Sequence, residues 1–262
     1  MQREARFKGM ADSAVTIGSS DHHMLALHGW LGSAPGWGTL PDYLDRASYT
    51  YAFMDLRGYG GRRACAGDFT MEEAAADALA LAGELGWDRF SLIGHFMSGH
   101  AIQHVLLRAP GRVRQLVAPN PVPATGGPMD KNGWALFSGA AAGRDNRFAI
   151  INFATGSRLP AVFVDHVEQH SLNHCGPAAF GAYLESWAKS DFSDRVRGNQ
   201  AAVKVVVGEH DPALPASVME QTWLRFFPAA ELEVMANAGH YPMYETSAAL
   251  AASIEEFLGR RD

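Results

Sequence analysis

Short apolar runs alternate with longer segments of helical periodicity along most of the chain. Gly, Pro or polar residues bound six of these runs, which predicts β-strands at residues 24–27, 51–54, 90–93, 113–117, 203–207 and 232–235. Helical periodicity predicts α-helices over residues 71–85, 98–108, 217–227 and 247–258. This alternation predicts an α/β protein with a mostly parallel central sheet that is flanked by helices.

The alternation stops between Pro121 and about residue 191. This stretch is rich in Gly, Pro, Ala and aromatic residues, and it contains helical pieces but no further strand. We therefore predict one α/β core made of residues 1–121 and 191–262, with an inserted helical cap at residues 122–190.

Composition and charge narrow the functional classes. The chain has 262 residues, of which 47% are hydrophobic and 19% are charged, as in a globular protein. A net charge of -6 and a pI near 6.0 argue against nucleic-acid and anionic-membrane partners. The charged N-terminus, two cysteines and lack of an apolar run of about 18 residues favour the cytoplasm. The oligomeric state stays open.

The segments that follow the predicted strands contain the candidate chemistry. Ligands of open α/β sheets bind beyond the carboxyl ends of the strands. The segments are HGWLGS (28–33), RGYGGR (57–62), HFMSG (95–99), EHDPALP (209–215) and GHYPMYE (239–245). Asp211 and His240 lie in the last two segments and are therefore candidates for an acid–base pair.

These segments, in this order, resemble the motifs of the α/β-hydrolases. The resemblance extends over the chain from about residue 5 to residue 258. The resemblance implies that Asp211 is the acid and His240 the base of a catalytic triad. It also implies that the backbone N–H groups of Trp30 and Met97 form an oxyanion hole. In these enzymes the motif G-x-S-x-G forms a sharp strand–turn–helix turn, the nucleophile elbow. The nucleophile is the third residue of the motif, where this chain has Phe96.

Two residues depart from the elbow motif. Phe96 has no hydroxyl or thiol, which excludes an acyl-enzyme at that position. Ser98 replaces the second glycine of the motif and is an alternative nucleophile. Glycines at positions 96 and 100 would accompany such a shift, and the chain has Phe96 and His100 instead. We therefore expect Ser98 to be a small packing residue and not the nucleophile.

The substrate is expected to be a hydrophobic or aromatic small molecule. Candidate substrate-binding residues beside the elbow are Trp30, His95 and Phe96, and those in the cap are Trp134, Phe137 and Trp187. No G-x-G-x-x-G or P-loop pattern occurs, so no cofactor is predicted. Histidines with helical spacing occur at 100 and 104 and at 166, 170 and 174. One helix rarely supplies a closed ligand set, so no metal is predicted.

Three functional hypotheses follow. In the first, His240 and Asp211 act as a general base without a covalent intermediate, as in a lyase, decarboxylase, cyclase or cofactor-free oxygenase. In the second, the protein is an esterase or lactonase that uses Ser98 or a water molecule activated by His240. In the third, the protein binds a ligand without catalysis. The intact motifs around Asp211 and His240 favour catalysis over simple binding.

Overall fold

A computed structural model describes residues 9–260 of the chain. Residues 1–8 and 261–262, which the sequence analysis assigns to the core, lie outside this range. Seven strands of the described part form one sheet in the order β1-β3-β2-β4-β5-β6-β7. They are β1 (Val15–Ile17), β2 (His23–Leu27), β3 (Thr50–Met54), β4 (Phe90–Gly94), β5 (Val113–Pro119), β6 (Ala202–Gly208) and β7 (Ala230–Met235). All neighbours pair in parallel except β1 and β3, which confirms the predicted mostly parallel sheet.

Helices flank this sheet. In the described range they are α1 (Leu40–Tyr43), α2 (Met71–Glu84), α3 (Met97–Arg108), α4 (Lys131–Gly139), α5 (Arg144–Ala154), α6 (Ala161–His174), α7 (Pro177–Lys189), α8 (Ser193–Val196), α9 (Ala216–Gln221), α10 (Trp223–Phe226), α11 (Pro242–Glu245) and α12 (Ser247–Gly259). The predicted helices 71–85, 98–108 and 247–258 correspond to α2, α3 and α12. No helix of residues 9–260 is long and apolar enough to cross a membrane.

Two elements differ from the sequence-based expectation. The helix predicted over residues 217–227 is divided into α9 and α10 at Thr222, whose φ of −123° and ψ of −86° are not helical. The Thr222 hydroxyl donates to the Val218 carbonyl at 2.6 Å, a side-chain bond that competes with regular helix geometry. Strand β1 was not predicted, because its three residues have no buried face and are placed only by pairing with β3.

The parallel arrangement collects the functional segments at one edge of the sheet. Strands β2, β4, β5, β6 and β7 run in the same direction, so their carboxyl ends lie together. The chain leaves the sheet at this edge after β5 and forms α4 to α8 before it returns to β6. The inserted helices therefore start beside the residues that follow β4, β6 and β7.

Candidate active site

The turn between β4 and α3 has a strained backbone with Phe96 at its tip. Phe96 has φ +49° and ψ −113°, a conformation that persists only where neighbouring groups fix it. Its N–H donates to the Pro119 carbonyl at 3.2 Å. Its carbonyl accepts from the N–H groups of Gly99 and Val122, each at 2.9 Å. The protein therefore keeps the sharp strand–turn–helix geometry of a nucleophile elbow although an aromatic residue occupies its tip.

Asp211 and His240 form a hydrogen-bonded pair beyond the ends of β6 and β7. His240 Nδ1 lies 2.7 Å from Asp211 Oδ2. Because a carboxylate only accepts, Nδ1 carries the proton. The other oxygen, Oδ1, accepts from the N–H groups of Ala213 at 2.9 Å and Leu214 at 3.2 Å. Both side chains of the pair are buried, so the imidazole has a fixed orientation and tautomer.

Asp211 stays ionised in spite of its burial. Burial by itself raises the pKa of this carboxyl, but the charge of His240 and the hydrogen bonds from His240 and Asn120 outweigh it. The pKa of Asp211 is therefore below its ordinary value. A negative carboxylate at this position stabilises the imidazolium that forms when His240 accepts a proton.

The second ring nitrogen of His240 is available to a ligand. Nδ1 is bonded to Asp211, and this is the only side-chain hydrogen bond of His240 among residues 9–260. The ring lines the main cavity and packs edge-on against Phe96, with ring centroids 4.8 Å apart. The backbone N–H of His240 donates to the carbonyl of Ala154 at 3.1 Å, which ties this loop to the end of α5. Nε2 can therefore accept a proton from a molecule in the cavity.

Two backbone amides that the resemblance assigns to the oxyanion hole are unpaired. Neither the Trp30 nor the Met97 N–H has an acceptor within the described residues. Met97 is the first residue of α3, and the first N–H groups of a helix have no partner inside it. The Trp30 ring is held firmly, since Nε1 donates to the Phe180 carbonyl at 2.9 Å and the two rings stack at 3.8 Å. Their role toward an oxyanion stays a prediction.

The main cavity lies between the elbow, the His240 loop and the inserted helices. Its empty volume is about 410 Å³, including the part that is open to solvent. Its lining is mostly apolar and comprises Trp30, Leu31, His95, Phe96, Phe137, Ile150, Phe153, Ala154, Ala213, His240 and Tyr241. Phe153 is 51% exposed, so it lies where the cavity meets solvent. Within the described residues, this lining includes no Lys, Arg, Asp or Glu.

Ser98 does not have the geometry of an alternative nucleophile. Its side chain is 0% exposed, and its hydroxyl donates to the His28 carbonyl at 2.6 Å. A nucleophilic serine instead directs its hydroxyl to the catalytic base. This geometry agrees with the interpretation of Ser98 as a packing residue, and its hydrogen bond joins α3 to the segment after β2.

The hydrogen bond of Ser98 makes a testable prediction. In Ser98→Ala the buried His28 carbonyl loses a donor, so we expect the free energy of unfolding to fall by about 1 kcal/mol. The rate per folded molecule should not change, because the hydroxyl does not face His240. Chemical denaturation and activity on the same preparation measure both effects, with Ser98→Gly as the matched variant. A loss of more than tenfold in rate in stable Ser98→Ala protein would restore Ser98 to the mechanism.

His95 lines the cavity and also holds the backbone of the His240 loop. Its Nε2 donates to the carbonyl of His240 at 2.9 Å. Burial and the nearby charge of His240 lower the pKa of His95 to about 3, so the ring is neutral at physiological pH. The role of His95 in substrate binding therefore stays a prediction, and its contact with His240 is a structural one.

The three cap aromatics differ in their position. Phe137 lines the cavity, as expected. Trp134 is outside this lining, and the ammonium of Lys189 lies 4.1 Å from its ring centroid. Trp187 is also outside the lining and packs edge-on against Phe96, with centroids 5.0 Å apart. Substrate binding by Trp134 and Trp187 therefore stays a prediction, because helical spacing does not show which face of a cap helix meets the core.

Sequence reasoning missed Asn120 and several lining residues. Asn120 follows β5 and donates from Nδ2 to Asp211 Oδ2 at 2.7 Å. Its place at the carboxyl end of a buried strand was a signal that could have identified it. The remaining missed residues are Leu31, Ile150, Ala154, Ala213 and Tyr241. They lie in four separate chain segments and have no common sequence pattern.

Comparison with known proteins places these features in a family. Residues 22–247 match the family described as alpha/beta hydrolase fold. The chain is 24% identical to the dihydrolipoyllysine-residue acetyltransferase component of the acetoin cleaving system of Cupriavidus necator, over 92% of this chain and only 65% of that protein. It is also 24% identical to a 2-hydroxy-6-oxononadienedioate/2-hydroxy-6-oxononatrienedioate hydrolase of Klebsiella pneumoniae, over 93% and 89% of the two chains. Among solved structures, an esterase from Exiguobacterium antarcticum superposes with a TM-score of 0.83 at 17% identity, over 94% of each chain.

Proposed function

Because the chain belongs to the alpha/beta hydrolase fold family, we propose that it is a hydrolase of uncharged, hydrophobic carbonyl compounds. In this proposal His240 activates a water molecule, and no covalent intermediate forms. One observation carries it: the 2.7 Å pair of His240 and Asp211 faces an apolar cavity in which the elbow tip has no nucleophile. The hydrolases and the esterase among the similar proteins favour hydrolysis over other reactions of the same base.

The proposed step balances with the groups of this chain. His240 Nε2 accepts a proton from water, and the water oxygen forms a bond to the carbonyl carbon of the substrate. The electron pair of the carbonyl moves to its oxygen, toward the N–H groups of Trp30 and Met97. When this oxyanion collapses, the bond to the leaving group breaks, and the imidazolium returns its proton to that group. The products are an acid and an alcohol, and His240 is neutral again.

The cavity lining supports an uncharged substrate. Burying a carboxylate costs several kcal/mol unless a cation or several donors replace its hydration. No Lys or Arg is part of the cavity lining within residues 9–260. The substrate named for the Klebsiella relative is a dicarboxylate, which this lining would not stabilise. Neutral esters and lactones with an apolar or aromatic group therefore fit the site better.

A panel of neutral and anionic esters tests the proposal. We expect hydrolysis of neutral aryl esters such as p-nitrophenyl butyrate, and rates at least roughly tenfold lower for esters of matched size that carry a carboxylate. Mass spectrometry of enzyme quenched during turnover should show unmodified protein. An acyl adduct on any residue, or equal rates for neutral and anionic esters, contradicts the proposal.

Asp211→Asn tests the role of the pair. An amide can donate to His240 Nδ1 and so place the proton on Nε2, which can then no longer act as a base. We expect the rate to fall by roughly 10²- to 10⁴-fold, which is the range that a general base supplies. A wild-type rate in folded Asp211→Asn would remove the pair from the mechanism.

The same base acting directly on the substrate is the second candidate. The observation that favours it is the Phe96 ring, which packs edge-on to His240 at 4.8 Å where a nucleophile would stand. His240 would then remove an acidic C–H or O–H proton from the ligand, and the two unpaired amides would stabilise the resulting enolate. Exchange of an activated C–H for deuterium in heavy water, without ester hydrolysis, would support this reaction over the first.

A further inference from the structure

Asn120 has a costly conformation at the end of β5. Its φ is +42°, in the left-handed region that residues with side chains rarely adopt. Its side chain is 0% exposed, and Oδ1 has no hydrogen-bond partner within the described residues. A left-handed backbone and a buried unpaired oxygen are both unfavourable. Such a residue persists where it makes an interaction that the site requires.

The interaction is a hydrogen bond to the acid of the pair. Asn120 Nδ2 donates to Asp211 Oδ2 at 2.7 Å, and this is the same oxygen that accepts from His240 Nδ1. The backbone N–H of Asn120 donates to the Val206 carbonyl at 2.7 Å and so fixes the residue on β6. The amide orientation follows from chemistry, because Oδ1 in the place of Nδ2 would face a carboxylate oxygen at hydrogen-bond distance.

We propose that Asn120 is a positioning residue that keeps the Asp211 carboxylate turned toward His240. The proposal rests on the proposed role of His240 as the base. Two donors on Oδ1, the amides of Ala213 and Leu214, already hold one side of the carboxylate. Asn120 adds a neutral donor on the other side, where His240 would otherwise be alone. The carboxylate then has one orientation, and that orientation aligns His240.

Asn120→Gly is the test variant, because glycine adopts a φ of +42° without strain. Asn237→Gly is the matched control: Asn237 also has a positive φ, +60°, lies three residues before His240 and is exposed. The readout is the NMR signal of the His240 Nδ1 proton during acidification, without substrate. We expect this signal to be lost at a higher pH in Asn120→Gly than in the wild type, because the Asp211 carboxylate loses a donor. The control should match the wild type.

Kinetics on p-nitrophenyl butyrate add a second readout. Since Asn120 acts through Asp211 and is absent from the cavity lining, kcat should fall by about tenfold in Asn120→Gly while KM stays nearly constant. A change in KM alone, or an unchanged Nδ1 signal, overturns the proposal. A wild type that hydrolyses nothing contradicts the proposed function instead, and the NMR test still decides the role of Asn120.

Asn120→Asp keeps the side-chain volume and covers a failure of the glycine variant to fold. Here two carboxyl groups lie within hydrogen-bond distance and must share one proton, so one of them should titrate above its ordinary range. Carboxyl ¹³C NMR of this variant measures that titration against the wild type. If the introduced carboxyl titrates as an ordinary exposed aspartate, Asn120 does not act on Asp211 and the proposal fails.

Discussion

We expect His240→Ala to lose nearly all catalytic activity on neutral esters while the protein stays folded. The general base supplies a factor of roughly 10² to 10⁴ in such reactions. Nothing else in the cavity lining replaces it: the other imidazole there, His95, donates through Nε2 to a backbone carbonyl, and its pKa is lowered to about 3 by burial and the charge of His240. The measurement is kcat/KM for p-nitrophenyl butyrate from pH 5 to pH 9.

His240→Asn is the matched control for the fold. Its amide places an N–H close to the position of imidazole Nδ1, so Asp211 keeps a donor, but the amide cannot accept a proton. Thermal unfolding of His240→Asn should therefore resemble the wild type more closely than that of His240→Ala, whereas both should be inactive. Ligand binding without turnover in both variants separates a base from a binding residue. Full activity in either variant would show that His240 is not the base and would contradict the proposed mechanism.

The second large effect is expected in Phe96→Ser, which should gain a serine nucleophile that reacts covalently with esters and fluorophosphonates. The elbow backbone is already in place, with φ +49° fixed by hydrogen bonds to Pro119, Gly99 and Val122. The Phe96 ring lies 4.8 Å from the His240 ring, so a hydroxyl at this tip comes near Nε2. We expect a fluorophosphonate to label Phe96→Ser and not the wild type, and ester hydrolysis to rise on the order of 10²-fold.

Phe96→Ala is the control for the space that the ring leaves. It enlarges the cavity by nearly the same volume but adds no hydroxyl, so it should stay unlabelled. The double variant with His240→Ala should also stay unlabelled, because the serine then has no base. Labelling of the wild type at Ser98 would contradict the buried hydrogen bond of that hydroxyl to His28.

The pairing of Asp211 with His240 could be predicted from the sequence because each residue lies directly after a strand. Parallel strands place their carboxyl ends together, so Asp211 after β6 and His240 after β7 had to be close. The distance of 2.7 Å between His240 Nδ1 and Asp211 Oδ2 agrees with that expectation. The same rule applied to β5 would have included Asn120, whose polar side chain follows a buried strand. It was missed because no family motif covers it.

The cap was less predictable, for a physical reason. A helix with one apolar face buries that face. A cap helix is apolar on more than one face, so its sequence does not show which face lines the cavity. Trp134 and Trp187 were expected in the cavity and lie outside its lining, whereas Ile150 and Ala154 are part of it. Which face meets the core depends on how α4, α5 and α7 pack, and that packing involves contacts between distant segments.

The sequence by itself determined the α/β core, six of the seven strands of the described sheet and the presence of Phe96 at the elbow tip. These features depend on local periodicity and on residues that are close along the chain. Only the tertiary structure decided that Ser98 bonds to His28, that Asn120 supports Asp211 and that the cavity lining has no charged carboxylate or cationic side chain within the described residues. Each of these depends on side-chain directions across segments far apart in sequence, which a pattern of apolar and polar positions does not specify.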